Sequence, residues 1–165
     1  MKVFYYNKAR NHTKADTDSL IKSALCEYFG KQVCARVKRT EKGKPYLDDC
    51  PLHIGVTHTD DTVLIAINDK PFGIDCESKE RTVKNASRIA DKYFCDNEKS
   101  YVFEKSSDEK ETDMRFLEIW VKKEAYVKFT GEGLSGMSGC DVTSICGFKL
   151  VENKNNLLIY IYEEE

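Results

Sequence analysis

The sequence contains no apolar run long enough to cross a membrane, and residues 1–30 hold none of export-signal length. Neither a spanning segment nor a leader is therefore expected, no membrane partner is expected, and the cytoplasm is the expected compartment. Charge of one sign is not in surplus. The formal net charge is -2, whereas a nucleic-acid binder would be clearly basic, so no nucleic-acid partner is expected and any basic function must be local. There is no CxxC pair and no Cys/His grouping at zinc spacing. Seven cysteines are present, at 26, 34, 50, 76, 95, 140 and 146. An odd number with no framework reads as reduced, mostly buried thiols. Linkers, repeats and low-complexity tracts are also missing. What remains is a chain of 165 residues, 41% hydrophobic, enough for one compact domain or two small fused halves.

Periodicity and punctuation divide the chain. Val3–Tyr6 alternates weakly and predicts a first strand. Asp16 or Thr17 is the expected cap of a helix to about Phe29, with Leu20, Ile21, Ala24, Leu25 and Tyr28 on one face and Gly30 as its stop. Val33–Val37 predicts a strand, Gly43-Lys44-Pro45 a turn, His53–Thr57 and Thr62–Asn68 two further strands, and Ile74–Glu77 a short one. Helical spacing then takes over, at Thr82–Tyr93, Asn97–Phe103 and, most clearly, Met114–Phe129, which ends at Gly131. Ser106–Thr112 reads as a loop, and residues 131–140, with four glycines, as a flexible connection. A final hairpin of Val142–Glu152 and Leu157–Tyr162 about Asn153–Asn156 is expected, with Glu163–Glu165 a solvated end. Strands and one helix, then helices, then strands argue for an α+β fold.

Four groups of residues can carry chemistry. In Gly73-Ile74-Asp75-Cys76-Glu77, Asp75 and Glu77 share a strand face, roughly 6.6 Å apart, with Ile74 and Cys76 on the other. Such a pair is either an exposed polar face or a site for a hard cation. Trp120, Glu124 and Lys128 recur every four residues and form one helix stripe beside Leu117 and Val121. That stripe is either a core indole with an ordinary Glu–Lys pair or a carboxylate and an ammonium at the edge of a packed face. Arg36, Lys38, Arg39, Lys42 and Lys44 crowd nine positions, as a solvated turn or a phosphate contact. His58 stands between Thr57 and Thr59, able to donate to a phosphate or to act as a base.

Taken in order, Gly43-Lys44-Pro45-Tyr46, Val56-Thr57-His58-Thr59, Gly73-Ile74-Asp75-Cys76-Glu77 and Trp120-Val121-Lys122-Lys123-Glu124-Ala125-Tyr126-Val127-Lys128 resemble the motifs of the 4'-phosphopantetheinyl transferases. The last two, about fifty residues apart, are the specific ones. The resemblance is to the two-half, monomeric, surfactin-synthetase-activating branch in a short version. It implies two similar α+β halves forming a pseudo-dimer within a single domain over 1–165: an N-terminal half of about 1–70 and a C-terminal half of about 71–165 carrying the metal motifs. The family activity it implies is Mg²⁺-dependent (or Mn²⁺-dependent) transfer of 4'-phosphopantetheine from coenzyme A to a serine of an apo acyl or peptidyl carrier protein, with release of 3',5'-ADP.

The resemblance assigns Asp75, Glu77 and Glu124 to the metal and sets Lys128 near the reacting phosphates. It places His58, with Thr57 beside it, on a coenzyme A phosphate, and Lys44 near the nucleotide. Threonines replace the usual serines around His58 and keep the hydroxyl; Cys76 stands where an apolar residue is common. The N-terminal half is short, and Arg36, Lys38 and Arg39 are the expected substitutes for contacts it would otherwise make. Chemistry gives each role a reason. A divalent cation lowers the repulsion met by a serine attacking a pyrophosphate, Lys128 can stabilise the leaving group, and Glu124 or a metal-held water can take the serine proton. A metal-dependent phosphohydrolase or nuclease would carry denser acidic and histidine clusters. A non-catalytic coenzyme A or carrier-protein binding module would not need Asp75, Glu77, Glu124 and Lys128 together.

Overall fold

A computed structural model describes residues 1–153 and 155–164. The chain divides into two compact units, Met1–Phe72 and Gly73–Glu165. Both mix strands with helices, in agreement with the α+β expectation.

The first unit opens with β1 (Lys2–Asn7) and α1 (Lys14–Phe29). The helix starts before the expected Asp16 or Thr17 because Thr13 is the cap. Asp16 N donates to Thr13 Oγ1 at 3.3 Å and Thr13 N donates to Asp16 Oδ2 at 2.7 Å, a reciprocal capping box. Gly30 ends the helix in the left-handed conformation, φ 66°. The strand expected at Val33–Val37 is displaced. Pairing begins only at β2 (Val37–Arg39), which folds back through the Gly43 turn onto β3 (Pro45–Leu47). β4 (His53–His58) and β5 (Thr62–Asn68) follow. Both antiparallel partners flank β5, giving the order β1-β5-β4. Val63, Ile65 and Ile67 pack with Ile21, Ala24 and Leu25 of α1, while Leu64 and Ala66 on the opposite face are also fully buried. Burial on both faces explains the unbroken apolar run of β5.

The second unit contains β6 (Gly73–Ser78), α2 (Ala86–Tyr93), α3 (Asp96–Lys99) continued by a π-helical turn at Ser100–Glu104, α4 (Glu109–Thr130), a 3-10 segment (Gly133–Gly139), β7 (Phe148–Leu150) and β8 (Leu157–Tyr162). Its sheet runs β6-β8-β7. In the three-stranded sheet of each unit the last strand lies in the centre, between the first and the penultimate one, so the two sheets share one order, although the first unit adds the β2–β3 hairpin and the second adds further helical segments.

Local expectations fail here in instructive places. The helix expected from Thr82 starts at Ala86, after Asn85 takes the left-handed conformation at φ 61°. The loop expected at Ser106–Thr112 is half helix, because Asp108 caps α4 by accepting from Glu111 N at 2.8 Å. Residues 131–140 are a 3-10 segment with Met137 fully buried rather than a flexible connection. Of the expected strand Val142–Glu152 only Phe148–Leu150 pairs with β8. Glu163 holds Lys149 at 2.6 Å instead of being solvated. Lys154 of the expected turn and Glu165 of the expected tail lie outside the described residues. No helix among the described residues is long and apolar enough to cross a membrane.

Candidate active site

The second unit builds its site where β6 lies under α4. Alternation along β6 puts Gly73, Asp75 and Glu77 on the face towards α4, while Ile74 and Cys76 point the other way and are buried. The helix approaches β6 so closely that a Cβ at Gly73 would lie 1.9 Å from Ala125 O and 2.7 Å from Phe129 N. Glycine is the residue that permits this approach, and the approach brings Lys128 over Asp75. Lys128 Nζ donates to Asp75 Oδ1 at 2.6 Å, with 8% of the Asp75 side chain and 34% of the Lys128 side chain exposed.

Glu124, one turn before Lys128, is half-buried. Burial pushes its carboxyl above the usual range; the Lys128 charge pulls it back and the Asp75 charge adds to the rise. Burial alone would lower Lys128, but the charge of Asp75, its hydrogen bond and the charge of Glu124 outweigh burial and hold the ammonium above its ordinary value. Two carboxylates and one ammonium thus feel one another. Glu77, the third predicted metal ligand, forms an ion pair with Arg81, four residues on and just past the end of β6. The donors are all carboxylate oxygens, the hard class that suits magnesium. The penalty on Glu124 from burial and a like charge is one that a divalent cation would remove, so the charge and donor class of these residues suit such an ion, although Asp75, Glu77 and Glu124 are not gathered within 4.8 Å of one another among the described residues.

Nearby, Tyr160 of β8 sits opposite Asp75 in register. Its hydroxyl donates to Glu118 at 3.2 Å; Glu118 also accepts from Tyr101 at 2.8 Å and Lys122 at 2.6 Å. Trp120 stacks on Phe116 with centroids 6.3 Å apart and meets Tyr93 edge-on, so its indole is a core group.

The remaining candidates lie in the first unit. Lys44 follows Gly43 (φ 85°) in a turn closed by Thr40 N on Lys44 O at 2.9 Å, and burial lowers its ammonium. Thr57 is buried on β4, and His58 is exposed at its end. Lys8 Nζ lies 3.3 Å from His58 Nδ1 and donates to Thr59 O at 2.9 Å. Arg36, Lys38 and Arg39 each have a carboxylate partner: Asp49 at 3.5 Å, Asp48 at 2.7 Å and Asp18 at 2.5 Å.

Several of these neighbours have no local signal in the sequence. Lys8 reaches His58 because β1 and β4 flank the same end of β5, with Asn7 opposite Thr62 and His58 opposite Val63. The Arg81 partner of Glu77 could have been found from its four-residue spacing. The most deeply buried charged pair, Lys123 with Glu98 at 2.8 Å, joins two helices and could not.

Residues 71–159, more than half of the chain, match the model of the 4'-phosphopantetheinyl transferase superfamily. The matched stretch holds Asp75, Glu77, Glu124 and Lys128. The chain is 32% identical over 133 residues to the 4'-phosphopantetheinyl transferase Sfp of Bacillus subtilis, covering 79% of this chain and 57% of that one. To the 4'-phosphopantetheinyl transferase gsp of Aneurinibacillus migulanus it is 31% identical over 123 residues, 74% of this chain and 46% of the relative. To the 4'-phosphopantetheinyl transferase HetI of Nostoc it is 27% identical over 146 residues, 84% and 60%. The chain thus spans about half the length of the curated relatives it matches. It belongs to the 4'-phosphopantetheinyl transferase superfamily.

Proposed function

We propose that this chain transfers the 4'-phosphopantetheine arm of coenzyme A to a serine of an apo acyl or peptidyl carrier protein, acting as a cytoplasmic monomer. Relatives of the chain are named 4'-phosphopantetheinyl transferases. The observation that carries the reading is the Lys128–Asp75 contact at 2.6 Å with Glu124 coupled to both, inside the segment matched to the family.

Asp75, Glu77 and Glu124 would hold magnesium, or manganese in its place. When bound, that ion neutralises charge on the pyrophosphate oxygens. The serine oxygen attacks the β-phosphorus, a new P–O bond forms, and the bond to 3',5'-ADP breaks. Glu124 accepts the serine proton. Lys128, held charged by its acidic neighbours, donates to the oxygen on which negative charge builds. Asp75 orients that ammonium. Lys44, Thr57 and His58 are the contacts proposed for the nucleotide phosphates. The burial-lowered pKa of Lys44 reflects a poorly hydrated ammonium, which an anion would stabilise. Arg36, Lys38 and Arg39 are further contacts proposed for the nucleotide, where a phosphate must compete with Asp49, Asp48 and Asp18.

The test is the intact mass of an apo carrier protein after incubation with the chain, coenzyme A and Mg²⁺. A gain of one phosphopantetheine that EDTA abolishes is the expected result. Release of free phosphopantetheine without a modified protein would mean hydrolysis instead. No turnover with acyl or peptidyl carriers, but measurable coenzyme A binding, would mean a binding module.

A further inference from the structure

Besides Lys128, α4 carries Lys110, Lys122 and Lys123, which the proposed transfer does not use, and of these Lys123 is fully buried. Lys123 and Glu98 are both fully buried, 0% exposed. Lys123 Nζ lies 2.8 Å from Glu98 Oε2 and donates to Met137 O at 2.7 Å and Cys140 O at 2.6 Å, which matches its three protons with three acceptors. Glu98 Oε1 accepts from Val142 N at 2.9 Å, and Oε2 also accepts from Cys95 N at 2.9 Å. Lys123 therefore already supplies the positive charge where Cys95, Glu98 and Asp141 offer ligand atoms within 4.8 Å of one another.

Stability alone does not call for this pair. Dehydrating two charges is costly, and an apolar pair of similar volume is often as stable or more so. What the ion pair adds is direction. Its hydrogen bonds tie α4 to the start of α3, to the end of the 3-10 segment and, through Glu98, to Val142. On a helix Lys123 and Glu124 are about 100° apart, and the next residue, Ala125, has its carbonyl against Gly73. Glu124 is thus bracketed by two anchors on different sides of α4, which oppose both a roll and a slide of the helix.

We propose that the Lys123–Glu98 pair is a positioning device that sets Glu124 and Lys128 against Asp75. The role rests on the reading of Glu124 as the metal- and proton-handling group. The test uses Lys123→Met/Glu98→Gln, which removes both charges and keeps an acceptor for Val142 N. The variant leaves Met137 O and Cys140 O without their donor and Cys95 N without its acceptor, so its Tm should fall, while unfolding stays cooperative. Its kcat should fall by about a hundredfold with little change in KM for coenzyme A, since small misplacements have effects of that order. The Tm rise produced by MgCl2 alone should disappear. A folded double variant with unchanged kcat and unchanged Mg²⁺ response overturns the proposal. If the double variant does not fold, Glu98→Asp, which keeps the charge and shortens the strut, decides. It should lower kcat about tenfold and shift the Mg²⁺ midpoint upward, and unchanged values overturn the proposal. Failure of the parent protein to modify any carrier would sink the transferase reading, while the Mg²⁺ response of parent and variants would still report on positioning.

Discussion

The two units share a strand order but treat charge differently. In Met1–Phe72 the ion pairs of Arg36 and Lys38 lie on the surface, and that of Arg39 is half-buried. In Gly73–Glu165, Lys128–Asp75 is largely buried and Lys123–Glu98 entirely so. Exposed pairs are screened by water and contribute little. Buried ones are expensive to form and expensive to break, so their presence is weak evidence of a gain in stability. The helices show the same contrast. α1 buries one face on its sheet, whereas α4 buries Phe116, Leu117, Ile119, Val121, Lys123, Ala125 and Val127, residues pointing in most directions around its axis.

The sharpest way to break this comparison is to delete one cation from each unit. Lys128→Ala should lower kcat for carrier modification by about a hundred- to a thousandfold, the usual effect of losing a group that stabilises transition-state charge. Far-UV circular dichroism should be unchanged. Lys38→Ala should leave kcat near that of the parent protein, and equal losses in the two variants would erase the distinction. Next in size is stability. Lys123→Met strands the buried Glu98 carboxylate and should lower the unfolding free energy by about 3–5 kcal/mol in urea titration, against at most about 1 kcal/mol for Arg39→Ala. Gly73→Ala forces a methyl into the Ala125 carbonyl and should cost about 1–3 kcal/mol, read in the same titration. A value near zero would mean that α4 can move off β6.

The smallest effect concerns pH. The carboxyl of Glu124 is raised in the folded state, so the fold binds its proton more tightly than the unfolded chain does. Stability from this group is fully present below its unfolded pKa and is lost as pH rises through the raised folded value. Glu124→Gln should therefore gain Tm relative to the parent protein as pH rises from about 4 to neutrality, without added metal. A constant difference across that range would show that Glu124 is not strained by burial and by Asp75.

Much of the fold could be read locally. Gly30 and Gly131 stop the two long helices in the left-handed conformation, as their position after an apolar period predicts. β5 and β6 lie where alternation and punctuation placed them. The failures share a cause. Val33–Val37 and Val142–Glu152 have strand composition, but a strand exists only where a partner pairs with it, and the partners begin at Pro45 and Leu157. Residues 131–140 looked loose because glycine is flexible in isolation. In the structure, Met137 and Cys140 lend their carbonyls to Lys123.

By itself, the sequence determined the α+β class, the shared face of Asp75 and Glu77, and the stripe of Glu124 and Lys128, because each depends only on the repeat of a strand or a helix. Tertiary structure alone decided that Lys128 meets Asp75, that Lys8 reaches His58 and that Lys123 is sealed against Glu98. Those contacts join residues 53, 50 and 25 positions apart. Packing selects the two lysine–carboxylate pairs, since a buried charge must find a partner and no local spacing says which one it will be; Lys8 meets His58 because β1 and β4 flank the same end of β5.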